Sequence, residues 1–212
     1  MEMNFSDFKE LTRELIRLDY IKPEDIPEIE LYMDQVTTFM DNGLAKTKRS
    51  EDDKTLTKTM INNYTKNNIL PPPNKKKYSK DHMILLIFIY YLKNFLSISD
   101  IQSLLAPVIE KFYNAPADAE TSLSSIYQDI FDLQTQEFGH IQKSMYSAYR
   151  MAESKFDSKE ESYLHLLAYI SILSYDIYAK KQVIESIIDN LKREAEEKEL
   201  SEGKSKDKKK KS

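Results

Sequence analysis

Seven lysines and no acidic residue lie between Lys54 and Lys80, although the whole 212-residue chain has a net charge of −4. The stretch is therefore a local excess of positive charge in an otherwise acidic chain. Such an excess is the usual electrostatic mark of a site for a polyanion. Threonine, asparagine and tyrosine side chains lie between the lysines, and these can donate hydrogen bonds to phosphates or to base edges. The stretch favours a nucleic-acid site, and the alternative interpretation is a solvated surface.

The hydrophobic pattern predicts the elements that position these side chains. Apolar residues at helical spacing indicate a helix from about Thr57 to Asn68, whose first turn offers free backbone N–H groups to a phosphate. Pro71–Pro73 must be extended, and Lys75–Tyr78 is predicted to form a short strand or wing. The predicted DNA-binding residues are Thr57, Lys58, Thr59, Asn62, Asn63, Tyr64, Lys66, Lys75, Lys76, Lys77, Tyr78 and Lys80.

Within this set the side chains have different predicted roles. Asn62 or Asn63 is expected to pair with adenine in the major groove, and the wing lysines are expected to bind flanking phosphates. Tyr64 and Tyr78 are interpreted equally well as packing residues. About six phosphate contacts predict that log K falls with log[salt] at a slope near −5.

The composition indicates an all-α protein, because glycine is scarce and Leu, Ile, Lys and Glu dominate. Helical patterns are predicted over Phe5–Leu18, Glu28–Met40, Lys80–Asn94 and from Ser97 to about Tyr113. The apolar run Met83–Leu92 is about half the length that crosses a bilayer, so it is predicted to be a buried helix.

Two long helical patterns follow a predicted junction at residues 114–118, and the second keeps an apolar seven-residue repeat. Such a repeat favours helix-to-helix packing, either within a helical hairpin or across a dimer. We expect a homodimer, because paired half-sites supply the specificity that one short recognition helix lacks. The predicted dimerisation residues are Ile170, Leu173, Ile177, Ile184, Ile187 and Leu191.

The chain is thus expected to contain an N-terminal helix (1–23), a helix-turn-helix domain (24–113), a helical dimerisation domain (114–201) and a disordered lysine-rich tail (202–212). Six tyrosines of the C-terminal half are interpreted either as core or as the lining of a pocket for a small-molecule effector. They are Tyr146, Tyr149, Tyr163, Tyr169, Tyr175 and Tyr178.

Several classes of function are excluded or disfavoured by composition. The chain has no cysteine, so it has no disulfide, thiolate metal site or cysteine nucleophile. His82, His140 and His165 are too scattered in sequence to suggest a metal site, and the common catalytic and nucleotide-binding motifs are missing. We therefore expect a non-enzymatic protein without cofactors, and the charged, amphipathic N-terminus predicts a cytoplasmic protein that does not enter a membrane.

The order of elements from Leu56 to Leu105 resembles the winged helix-turn-helix of MerR-family transcription regulators. Tyr64 matches an aromatic position of that family, Ile69–Pro71 its turn, Lys77–Tyr78 the end of its wing and Leu96–Ile101 its last turn. The chain departs from the pattern at residues 41–54, which separate the first two helices, and in a wing without glycine.

A more specific resemblance is to the domain of unknown function 1836 family, whose members look like transcription regulators. Met33–Val36, Leu56–Lys66 and Lys76–Lys80 look like the signature of that family, and the resemblance covers roughly Ile26 to Leu105. It implies a double-stranded DNA partner. The alternative function is a helical protein–protein interaction module whose basic surface binds an acidic partner.

Overall fold

The computed structural model describes residues 5–16, 21–50, 52–116, 119–156 and 162–210, with side chains except at 5, 14–16, 162 and 198–210. Over these residues the chain is predominantly helical, which confirms the predicted all-α class. The helices are α1 (Phe5–Ile16), α2 (Met33–Gly43), α3 (Lys58–Lys66), α4 (Lys80–Leu92), α5 (Ile98–Phe112), α6 (Leu123–Glu153) and α7 (Ser162–Lys210). Two short strands, β1 (Leu31–Tyr32) and β2 (Lys77–Tyr78), pair antiparallel.

The main core is built around α4, whose side chains are buried on almost every face. Buried residues of α2, α3, α5 and α6 belong to the same apolar cluster. The apolar run Met83–Leu92 is therefore explained by burial on all sides. None of the helices within the described ranges is long and apolar enough to span a membrane.

The main core continues past the junction predicted at residues 114–118. Leu123 and Tyr127 of α6 are buried in the same cluster as α4, and the Tyr127 hydroxyl donates to the carbonyl oxygen of Ile21 at 2.5 Å. Ile188 of α7 is buried there as well. The two sides of this junction therefore share one core, because the first turns of α6 and a late turn of α7 complete it.

Helices α6 and α7 form an antiparallel hairpin that ends in a second, smaller core. At that end Tyr149 of α6 packs against His165 and Tyr169 of α7, whereas Ile188 lies at the opposite end in the main core. Phe8 of α1 completes the smaller core and stacks on Tyr149, with ring centroids 4.5 Å apart. The α1 helix is therefore packed against the hairpin.

Some predicted boundaries differ from the structure. Helix α2 begins at Met33 instead of Glu28, because Leu31 and Tyr32 pair with Tyr78 and Lys77 as strands. The α7 backbone is helical as far as Lys210, where a disordered tail was predicted from residue 202. Glu and Lys are good helix formers, and extending an existing helix avoids the cost of a new nucleus. Residues 211–212 lie outside the described residues.

The long segment between α2 and α3 folds back on the end of α2. The Asp41 carboxylate accepts a hydrogen bond from Thr55 at 3.2 Å and pairs with the Lys48 ammonium at 2.7 Å. The contact with Lys48 holds the pKa of Asp41 below its usual range. On the same segment, the Asp53 carboxylate accepts hydrogen bonds from the backbone N–H groups of Arg49 and Ser50. The segment is thus held by carboxylates and keeps α3 close to α2.

Candidate nucleic-acid interface

Helix α3 separates its buried and exposed residues cleanly. Thr57 is the N-cap, and its hydroxyl accepts a hydrogen bond from the Met60 N–H at 3.2 Å. Ile61 and Tyr64 are buried and anchor the helix in the main core. The exposed face carries the polar side chains Lys58, Thr59, Asn62, Asn63 and Lys66. The predicted helix is confirmed, and most of its predicted contact residues point to solvent.

The end of α3 is set by Asn68. This residue has a φ of 55°, in the left-handed region that asparagine tolerates better than most residues. The Ile69 N–H then donates to the Tyr64 carbonyl oxygen at 2.9 Å, which closes the helix with a Schellman bond. Ile69 and Leu70 are buried directly afterwards, so the chain leaves α3 with a fixed direction.

The predicted wing is a tight turn at the start of β2. The Lys77 N–H donates to the Asn74 carbonyl oxygen at 2.8 Å, and the two residues between them are Lys75 and Lys76. Both have positive φ, 47° and 66°, which marks a type I′ turn. Asparagine and glycine are usual at these positions, so two lysines are held here at a conformational cost. Their ammonium groups lie at the exposed tip.

Two acidic residues that precede α2 and one in its first turn pair with three of the lysines. The Lys58 ammonium contacts the Asp34 carboxylate, and Lys80 Nζ lies 2.5 Å from Glu28 Oε1. Lys77 Nζ lies 3.8 Å from Glu30 Oε2. Helix α2 contacts both α3 and strand β2, so these pairs join the first turn of α3 and strand β2 to the same segment around β1 and the start of α2.

These pairs divide the seven lysines of the basic stretch into two groups. The three paired lysines carry charge that is partly balanced inside the protein. Lys54, Lys66, Lys75 and Lys76 are exposed and make no ion pair with the residues that the structure describes. The basic surface therefore consists mainly of these four lysines.

Tyr64 and Tyr78 do not belong to the exposed surface. Both rings are buried in the main core, and burial raises the pKa of each phenol. The packing interpretation therefore replaces the predicted contact role for these two residues. Sequence spacing could not decide between the two, because a tyrosine is equally suited to a core position and to a phosphate contact.

His82 lies buried beneath the wing. Its Nδ1 accepts a hydrogen bond from the Ser79 N–H at 3.0 Å, and its Nε2 lies 3.1 Å from the Tyr113 hydroxyl. Burial lowers the pKa of His82, opposed by contacts to Pro72 and Pro71 and by the charges of Asp81 and Glu30. His82 thus links the start of α4 to the end of α5, and no cluster of metal ligands occurs among the described residues.

Tyr32 lies at this surface although no sequence pattern predicted it there. Its side chain is exposed on β1, and Lys77 Nζ lies 5.7 Å from the centre of its ring. Ile29, on the approach to β1, and Met60, on α3, are exposed as well. An exposed aromatic residue beside a lysine is suited to contact a base or a sugar. Only the β1–β2 pairing brings Tyr32 beside the wing.

The predicted dimerisation residues fall into two groups. Leu173 packs against the small core and Ile184 against the main core, so both are partly covered within the chain. Ile170, Ile177, Ile187 and Leu191 remain exposed. The six tyrosines proposed for an effector pocket are also separated, because Tyr149 and Tyr169 are buried in the small core while Tyr163, Tyr175 and Tyr178 are exposed.

The fold and this surface define an all-α protein with an exposed basic face made by a short helix and a two-residue turn. The chain belongs to the DUF1836 family, a domain of unknown function, whose family model matches residues 21–130. The family assignment made from the sequence motifs is thus confirmed. The match extends through the start of α6, as the main core does. No curated protein and no solved structure matches the chain.

Proposed function

We propose that the protein is a sequence-specific DNA-binding transcription regulator in which α3 is the recognition helix and the Asn74–Lys77 turn is a wing. The observation that carries this proposal is the exposed polar face of α3. Ile61 and Tyr64, on the opposite face, are buried in the main core and anchor the helix. The wing tip adds two lysines on the side of the molecule where α3 begins.

The chemistry of α3 suits the major groove. Asn62 and Asn63 are exposed amides, and an asparagine can donate to and accept from one adenine edge at once. Lys66 and Lys54 flank them and supply positive charge for phosphates. The first turn of α3, which Thr57 caps, adds backbone N–H groups that can donate to a phosphate.

Pairing of lysines with acidic residues of the same chain favours binding to a specific base sequence over binding to any DNA. Three lysines are paired with Asp34, Glu30 and Glu28. These pairs weaken the attraction of the lysines to DNA phosphates, which is the part of binding that does not depend on base sequence. The four lysines without such pairs predict a slope of log K against log[salt] of about −4. This value replaces the slope near −5 expected from sequence.

We further propose that two copies bind paired half-sites. Helix α3 has only nine residues, so one copy reads few base pairs. Ile170, Ile177, Ile187 and Leu191 are exposed and available to a partner. A homodimer presents two copies of α3 and two wings to the same duplex.

A binding experiment tests the proposal. A site is first selected from a random duplex library, and affinities for it and for an unrelated duplex are measured by fluorescence anisotropy at several salt concentrations. Asn62→Ala and Asn63→Ala are each made, and at least one should weaken binding to the selected site about fivefold or more with little effect on the unrelated duplex. Lys66→Ala/Lys75→Ala should weaken binding to both and flatten the salt slope by about 2.

The matched control is Lys143→Ala/Lys155→Ala, which removes two exposed lysines from α6 and the residues that follow it. This variant should bind both duplexes like the unmodified protein. If the protein binds no duplex at micromolar concentration and low salt, or if the control loses affinity as strongly as Lys66→Ala/Lys75→Ala, the proposal is wrong.

The second candidate function is a protein–protein interaction module for an acidic partner. It is favoured by one observation, namely that lysines of this surface already bind carboxylates of the same chain. Binding of a poly-glutamate peptide, with no preference for any selected duplex, would support this function over DNA binding.

A further inference from the structure

Helix α7 carries an exposed apolar stripe along one side. The stripe consists of Tyr163, Leu167, Ile170, Ile177, Ile187 and Leu191, which are between 41% and 74% exposed. Tyr163, Ile170, Ile177 and Leu191 are separated by multiples of seven residues, and Leu167 and Ile187 lie three or four residues from members of that series. Residues with this spacing share a helix face.

The intramolecular hairpin does not use the stripe. The α7 residues buried against the rest of the chain are His165, Tyr169 and Ile188, and none of them belongs to the stripe. Ile184 is the one member of the seven-residue series that packs on the main core. The sequence pattern allowed two explanations, a hairpin or a dimer, and the hairpin leaves most of the repeat uncovered.

We infer that a second copy of this chain covers the stripe, through the same face of its own α7. This inference deepens the proposed dimeric regulator by assigning its interface, although the interface itself does not depend on DNA. A seven-residue apolar repeat matches a partner helix with the same repeat, since both helices supercoil with the same hand.

The size of the stripe is sufficient for a dimer. Each of the six side chains offers roughly 100 Å² of exposed surface, so two copies would bury about 1,200 Å² together. This area lies at the lower end of the range for specific interfaces. Left uncovered, an apolar surface of about 600 Å² would be as large as the largest patch on a typical monomer.

The charges beside the stripe favour a second copy over a strongly charged partner. Lys180 lies three residues after Ile177, on the face of the stripe, but its Nζ pairs with Asp176 Oδ2 at 2.6 Å. Beside the stripe, Lys181 Nζ lies 3.6 Å from Glu185 Oε1. The flanks of the stripe are therefore nearly neutral over this region. Two identical copies can approach without repulsion between like charges, whereas an acidic or basic peptide gains nothing from these flanks.

Sedimentation equilibrium of the full chain tests the interface. Ile170→Glu/Ile177→Glu places charges in the stripe and should raise the dimer dissociation constant at least about 100-fold. The matched control is Ala179→Glu/Ser186→Glu, which adds the same charges to two exposed residues of α7 that lie off the stripe and are likewise seven residues apart. This control should remain dimeric, and all three proteins should give the same helical circular dichroism per residue.

Each outcome decides the inference. Should the glutamate pair lose helical signal, Ile170→Ser/Ile177→Ser provides the same comparison with a milder change. An unmodified protein that is monomeric at 100 times the concentration used for DNA binding, or a stripe variant that stays dimeric, overturns the interface. A monomer that binds its selected DNA contradicts the interface and the paired half-sites but leaves DNA recognition by α3 in place, and a dimer that binds no DNA contradicts the proposed function alone.

Discussion

The ammonium group of Lys58 pairs with the carboxylate of Asp34, which joins the first turn of α3 to the first turn of α2. Asp34 lies in Met33–Val36 and Lys58 in Leu56–Lys66, two of the three motifs through which the chain resembles its family. The pair therefore brings these two motifs together in space. It also places a negative charge beside the proposed recognition helix, so Asp34 opposes phosphate binding while it orients α3.

Neutralising the acidic residues beside the basic surface should strengthen DNA binding. In Glu30→Gln/Asp34→Asn, Lys77 and Lys58 lose their internal partners and become available to phosphates. We expect affinity to rise about three- to tenfold at low salt and the salt slope to steepen by about 2. The measurement is the anisotropy titration at several salt concentrations.

The control for this change is Glu137→Gln/Glu153→Gln, which removes the same charge from exposed positions of α6. Its affinity should rise much less, because a Debye length of about 10 Å at 0.1 M salt screens distant charges. An unchanged or weaker affinity in Glu30→Gln/Asp34→Asn would mean that phosphates do not approach Lys58 and Lys77.

Replacing the two lysines of the wing turn should raise the stability of the protein and weaken its binding to DNA. Lys75→Asn/Lys76→Gly supplies the residues that a type I′ turn prefers, so we expect the free energy of unfolding to rise by about 1–2 kcal/mol. The same variant should bind DNA more weakly, with a salt slope flatter by about 2. Urea unfolding and anisotropy measure the two effects.

Lys75→Gln/Lys76→Gln is the matched comparison for the wing, because it removes the same charge without relieving the backbone. It should lose as much DNA affinity as Lys75→Asn/Lys76→Gly and gain no stability. Equal stability of the two variants would show that positive φ at this turn costs nothing.

His82 should make the protein less stable in mild acid. Because burial lowers its pKa, the unfolded chain binds more protons than the folded protein between the folded pKa and about 6.5. Stability should therefore rise with pH through this window and level off above about pH 7. His82→Gln keeps an acceptor for the Ser79 N–H and should remove this pH dependence.

The exposed His140 provides the comparison for His82. Urea unfolding at pH 5, 6, 7 and 8 should show the same pH profile for His140→Gln as for the unmodified protein. A pH profile that His82→Gln leaves unchanged would assign the acid sensitivity to other groups.

The two glycines with described surroundings should respond oppositely to alanine. A Cβ on Gly43 would lie 2.7 Å from Cγ1 of buried Ile21, so Gly43→Ala should lower the free energy of unfolding by about 1–3 kcal/mol. A Cβ on Gly139, within α6, would meet no atom within 4 Å. Gly139→Ala should therefore raise the free energy of unfolding by about 0.5–1 kcal/mol. Urea unfolding measures the effect of each substitution.

Much of the fold was predictable because it depends on neighbours in the sequence. The extent of α3 follows from its apolar spacing and its Thr57 cap, and the Ser79 cap with His82 three residues later marks the start of α4. Strand β1 was missed because a two-residue strand has no periodicity of its own. It exists only through its pairing with β2.

The sequence by itself determined the helical class, the family and a basic stretch divided into helix, proline spacer and turn, since each depends on composition or on residues a few positions apart. Only the tertiary structure decided that Tyr64 and Tyr78 are buried, that Asp34 and Glu30 meet Lys58 and Lys77, and that the α7 stripe stays exposed. These features depend on packing between distant segments. The spacing of residues along one helix specifies which side chains share a face, but it does not specify what that face meets.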